Sequence, residues 1–257
     1  MKVPGRLKVA VLAVVMVLAA VTAYAEETKV GGYASADIMS NYVWRGQKLS
    51  NSWVVQPSVG ITYGSFGANL WSNYDSDRAE ATSGDETGHG EVTETDITLS
   101  YSRPIGKLTL GAGYIYYALE GANDTQEVYL SASYDTLLKP AITIYYDYDE
   151  GDGTFIIASL SHSFTLAKMT LNLGAAASYN INNKVMGFDS DGNDFSNFYN
   201  GEVSTSLNIP VYKSVVITPK IAYSFPLSND AKSAISGFSN DGKRDIVYGG
   251  INLTVSF

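Results

Sequence analysis

The chain has 257 residues, 45% hydrophobic and only 17% charged, with 24 Gly, 19 Tyr and no Cys. So little charge beside so much Tyr and Gly excludes a disordered chain or a coiled coil. The missing cysteines exclude a disulfide scaffold, a thiolate metal site and a cysteine nucleophile. A net charge of −9 with no Lys/Arg cluster argues against a nucleic-acid partner.

In chain order, the first segment reads as a secretory leader. Lys2, Arg6 and Lys8 form a positive start, Val9 to Ala20 is apolar, and Ala23-Tyr24-Ala25 is a small-residue cleavage site before Glu26. The apolar run is short for a membrane-spanning helix, which needs about 20 residues. Loss of residues 1–25 takes the net charge from −9 to −12. Residues 26–257 then form one domain with no further apolar stretch of helical span, and a β-barrel is the remaining way to live in a membrane.

Hydrophobic periodicity in that domain is two nearly everywhere, and no segment carries a convincing helical period. Leu108, Leu110, Ala112, Tyr114 and Tyr116 alternate with small or polar residues, as do Ile97, Leu99 and Tyr101. Met169, Leu171, Leu173, Ala175, Ala177 and Tyr179 repeat the pattern. The pattern predicts about twelve strands of roughly ten residues, the length of a tilted transmembrane strand. Their expected spans are 32–44, 53–63, 66–75, 93–103, 107–118, 125–135, 140–149, 153–164, 168–180, 197–209, 214–225 and 244–257. The joins alternate. Those at 64–65, 104–106, 136–139, 165–167 and 210–213 are short. Those at 45–52, 76–92, 119–124, 181–196 and 226–243 are longer and polar, with only 150–152 breaking the rule. Such sorting puts turns at one end of an up-and-down antiparallel barrel and loops at the other, as in outer-membrane proteins.

The last strand ends with Ile251, Leu253, Val255 and Phe257 on one face. It resembles the terminal signal by which the bacterial outer-membrane assembly machinery reads its substrates. Pairing it with the first strand closes the barrel and removes an open edge. Aromatic residues are expected in two belts. Tyr42, Trp44, Trp53, Tyr114, Tyr116, Tyr146, Tyr148, Tyr179 and Tyr223 fall near the loops. Tyr63, Phe66, Tyr101, Tyr134, Phe164 and Phe257 fall near the turns.

The run from Ser35 to Asp75 brings a resemblance. Tyr42-Val43-Trp44-Arg45-Gly46, Gln56-Pro57 and Trp71-Ser72-Asn73 are similar to the opening of the TorF-like porin family of bacterial outer membranes. The match covers about the first fifth of the mature chain. It implies a small outer-membrane porin of undefined substrate; the barrel pattern and the last strand make membrane lipid and the assembly machinery the expected partners.

Function is then carried by the face opposite the lipid. Strand parity places Asp37, Arg45, Asp96, Glu127, Asp147, Glu202 and Lys220 there as pore-lining candidates, Arg45 sharing a face with Asp37 near the loops. The acid excess favours passage of cations or neutral polar solutes. The alternative is a lumen plugged by paired charges, a surface or structural barrel acting through its loops. A lipid-modifying enzyme is the weaker rival: Ser161, His162 and Ser163 are adjacent, but neighbouring strand residues point to opposite faces, so the ring cannot serve either hydroxyl. The acidic loop 76–92, with His89, reads as a solvated loop, and Asp189 to Asp194 as turn chemistry. No cofactor or metal is expected.

Overall fold

The computed structural model describes residues 30–76, 90–239 and 242–257. The leader and most of the acidic loop, His89 included, lie outside the described residues. Twelve strands close an antiparallel barrel in which each strand pairs with its sequence neighbours. They are β1 (Val30–Met39), β4 (Val54–Tyr63), β5 (Phe66–Asp75), β6 (Glu91–Ile105), β7 (Leu108–Leu119) and β8 (Thr125–Tyr134). The circuit continues through β9 (Ala141–Asp147), β10 (Gly153–Leu166), β11 (Met169–Ile181), β12 (Ser196–Tyr212), β13 (Val215–Pro226) and β14 (Ile246–Ser256). Two short strands, β2 (Val43–Trp44) and β3 (Gln47–Lys48), form a separate hairpin.

Period-two alternation produces this wall because a strand's side chains leave it on opposite sides. Ile97, Leu99, Leu130, Ile144, Leu160 and Leu253 point outward and are exposed, while Asp96, Glu127, Ser159 and Asn252 share the inner parity. So broad an apolar outer surface has no place in water and suits hydrocarbon. The joins at 64–65, 106–107, 135–140, 167–168 and 213–214 lie at one end, where the chain turns through positive φ at Gly64, Gly106, Lys139 and Ala167, and the short join 148–152 at the opposite end breaks the sorting. Closure is made by β1 and β14, in register from Tyr33↔Ser256 to Met39↔Gly250. Gly32 and Phe257 add two reciprocal backbone hydrogen bonds of 2.9 Å. Ile251, Leu253, Val255 and Phe257 all face outward.

Three expectations are corrected. The first strand stops at Met39 instead of running to residue 44, because the chain turns into the barrel at Ser40. Tyr42 and Trp44 are therefore interior residues and do not belong to the loop-side aromatic belt. The segment 226–243, expected as loop, contains a helix, α1 (Asn229–Gly237). It starts where Ser228 Oγ accepts the Ala231 amide at 3.1 Å, and it buries Ala231, Ala234 and Ile235. Its apolar stripe is too short to stand out in the sequence.

Candidate functional site inside the barrel

The loop after β1 folds inward and delivers one side chain into the wall. At its tip Arg45 and Gly46 both have positive φ, 49° and 84°, the backbone of a tight two-residue hairpin turn. The Arg45 guanidinium makes a bidentate pair with Glu127 on β8, at 2.7 and 2.6 Å. Both side chains are almost fully buried, 6% and 1% exposed. The guanidinium lies 4.4 Å from the ring centres of Trp44 and Tyr145 and 4.7 Å from that of Phe155. Tyr117 donates a further 2.8 Å bond to Glu127. Burial works against the Arg45 charge, but Glu127, Tyr117 and Tyr145 together outweigh it and hold the guanidinium's pKa above its ordinary value.

The hairpin is tied to its neighbours. Gln47 Nε2 donates to the Val185 carbonyl at 3.0 Å and to the Tyr199 hydroxyl at 3.1 Å, and Tyr199 in turn donates to the Met186 carbonyl at 2.8 Å. Val185 and Met186 belong to a single 3-10 turn, Lys184–Met186, in the β11–β12 loop. A bulge in β12 opposite Ser178 breaks the strand's alternation. Tyr199 and the adjacent Asn200 are both buried there, Asn200 bonding Ser178 and Ser224. Phe155, Met186, Phe195, Tyr199 and the α1 residues Ala231, Ala234 and Ile235 pack as one apolar cluster, with Trp44 against it. This cluster lies at the loop end of the barrel. Phe155, Val54 and Trp71 carry the signal that a reading by alternation passes over, apolar side chains on the polar parity, whereas Tyr199 counts with outward Val203 and is turned inward by the bulge.

Each predicted lining residue has a definite place. Asp37 pairs with Lys220 across the β1–β14–β13 wall at 2.6 Å and accepts from Asn252 at 3.1 Å. Glu202 accepts from Tyr248 at 2.7 Å. Asp147, fully buried, accepts from Thr125 at 2.9 and 2.8 Å. Asp96 lies near Glu94 and Tyr42. Arg45 does not share a face with Asp37 on β1; it sits on the hairpin and belongs with Glu127. Burial pushes the Tyr42 hydroxyl far above its usual pKa, and the nearby Glu94 and Asp96 push the same way.

Two spaces remain beside these groups. A chamber of about 400 Å³ is lined by Met39, Ser161, Asn172, Glu202, Ser204, Ser206, Lys220 and Tyr248. A cleft of about 510 Å³ on the other side of the hairpin is lined by Tyr42, Trp44, Gln47, Glu94, Tyr117, Glu120, Thr125 and Phe238, among others. Met39 and Tyr42 pack together between them.

The structure does not bring the Ser161-His162-Ser163 candidates together as a nucleophile and base. His162 faces outward against Phe164, its Nδ1 2.7 Å from the Leu137 carbonyl, and Ser163 donates to Asn172. Asp189 caps its own turn, accepting the amides of Asp191 and Asn193 at 2.9 and 2.8 Å. Among the described residues no group of His, Asp and Glu is arranged to hold a metal ion.

The chain is similar in structure to the KdgM porin, with a TM-score of 0.51 and 10% identity over 89% of this chain and 99% of that one. The likeness is one of fold, a closed twelve-strand antiparallel barrel. A second structure, the KdgM porin in complex with disordered oligogalacturonate, is similar with a TM-score of 0.50 and 11% identity over the same shares of the two chains. The NanC porin gives 0.49 and 13%, over 89% and 99%. No family model and no curated protein matches the sequence. Some of the residues that carry the TorF-like resemblance touch one another inside the barrel. Trp71 packs obliquely on Tyr42 at 5.5 Å, Gln56 donates to Asn73 at 3.0 Å, and Arg45 and Gly46 form the hairpin tip.

Proposed function

We propose that the protein is an outer-membrane channel for passive diffusion of small polar solutes and ions, leaning toward cations, and a member of the TorF-like porins. The observation that carries this reading is the interior charge arrangement. The two cationic candidates, Arg45 and Lys220, are each paired with a carboxylate, while Glu94 and Glu202 add negative charge along the same interior. A lining of that sign concentrates cations. A polyanion such as the oligogalacturonate named with KdgM meets the wrong sign here. The solute's path runs from the cleft past Tyr42 and Met39 into the chamber, with the hairpin narrowing the lumen.

The apolar cluster at the loop end favours a second reading, a closed barrel that acts through its loops. Refolded mature protein in a planar bilayer under a KCl gradient separates the two. Stepwise openings with a cation-leaning reversal potential support the channel. A barrel that inserts and never conducts supports the closed reading. An anion-leaning potential overturns the assigned preference.

A further inference from the structure

The Arg45 pocket is built by the barrel and filled by a loop. Glu127, Tyr145 and Phe155 come from the successive strands β8, β9 and β10, whose ladders fix their positions independently of the hairpin. Tyr145 and Phe155 are direct cross-strand partners, and Tyr129 continues the row on β8. Tyr117, on β7, orients the carboxylate from the far side. Together they offer what a guanidinium needs: a carboxylate fork matching two parallel N–H donors, and aromatic faces for a flat, weakly hydrated cation.

The occupant, by contrast, is carried on a hairpin of two residue pairs, Val43↔Lys48 and Trp44↔Gln47. Its arginine is held in a left-handed backbone conformation, which side-chain-bearing residues adopt at a cost. Trp44 and Tyr117 line both the pocket and the 510 Å³ cleft beside it, so the pocket adjoins a space that a small solute fits.

We propose that this wall is a guanidinium-binding site, that Arg45 fills it as a tethered ligand, and that a free solute bearing a guanidinium group takes the same place when Arg45 is removed. The hairpin and such a solute then compete for one pocket. The site does not depend on the channel reading, because it is defined by binding, whether or not the barrel conducts.

The test uses the full mature barrel, refolded in detergent, with folding followed by its heat-dependent gel mobility. Titration calorimetry with methylguanidinium compares the wild type, Arg45→Ala, and Arg45→Ala combined with Glu127→Gln. Arg45→Ala should bind at least about tenfold more tightly than either of the others, the factor that one charge-assisted hydrogen bond supports. It should also prefer methylguanidinium to methylammonium. If Arg45→Ala refolds only when millimolar methylguanidinium is present, and methylammonium does not replace it, the proposal is equally supported. Equal binding of the two cations, binding unchanged by Glu127→Gln, or a variant that neither binds nor is rescued overturns it.

Discussion

The ring of Phe257 lies where a side chain on Gly32 would begin: a Cβ there would sit 2.5 Å from the ring's Cε2. The two residues are the first rung of the seam, joined by both of their backbone hydrogen bonds. The C-terminal aromatic is thus also the clasp that joins the chain's last residue to its first strand.

Deleting Phe257 should remove that rung and cost about 1–3 kcal/mol, the worth of two backbone hydrogen bonds. Urea unfolding of the refolded barrel in detergent, read by tryptophan fluorescence, measures it. Gly32→Ala should cost less, since the Phe257 ring is exposed and free to swing away.

Breaking the Arg45–Glu127 pair from one side leaves an uncompensated buried charge. Glu127→Gln or Arg45→Met alone should each destabilise the barrel by about 3–5 kcal/mol. The double variant should recover a large part of that loss, because neither charge is then stranded. Full additivity in the double-mutant cycle would show that the two side chains are not coupled.

The Asp37–Lys220 pair borders the chamber and acts on passing ions instead of on the cluster at the loop end. Lys220→Ala should increase the cation preference and Asp37→Asn should decrease it. A unit charge about 4 Å from an ion in water changes its energy by about 1 kcal/mol, so the permeability ratio should move by up to about fivefold. Reversal potentials under a KCl gradient give the sign.

Tyr148, in the loop after β9, is pushed up to about 12 by burial and by its neighbour Tyr114. The folded state therefore holds this proton between pH 10 and 12, where the unfolded chain releases it. The stability it contributes is complete below pH 10 and is lost as pH rises toward 12. Ultraviolet phenolate titration of the wild type and Tyr148→Phe should differ by one group in that range. Loss of a group titrating at the ordinary value of 10 would contradict the shift.

Much of this molecule is determined by the sequence itself. Alternation from Leu108 to Tyr116, the turn residues Gly64, Gly106 and Ala167, and the outward row ending at Phe257 fix strands, turns and closure. These are local properties, set by which side of a strand a residue leaves and by which residues tolerate positive φ. The inward parity of Asp37, Asp96, Glu127, Asp147, Glu202 and Lys220 follows by the same rule. Parity fails where the chain leaves the sheet. Tyr42, Trp44 and Arg45 continue the alternation on paper, but from Ser40 onward they are not on a strand, so counting cannot say which way they point. The partner that draws Arg45 inward, Glu127, stands 82 residues away, and Phe155, Met186, Tyr199 and Ile235 join from four further segments. Only the tertiary structure decided that pocket, because a buried ion pair and its aromatic walls are made by side chains that meet only once the barrel has closed.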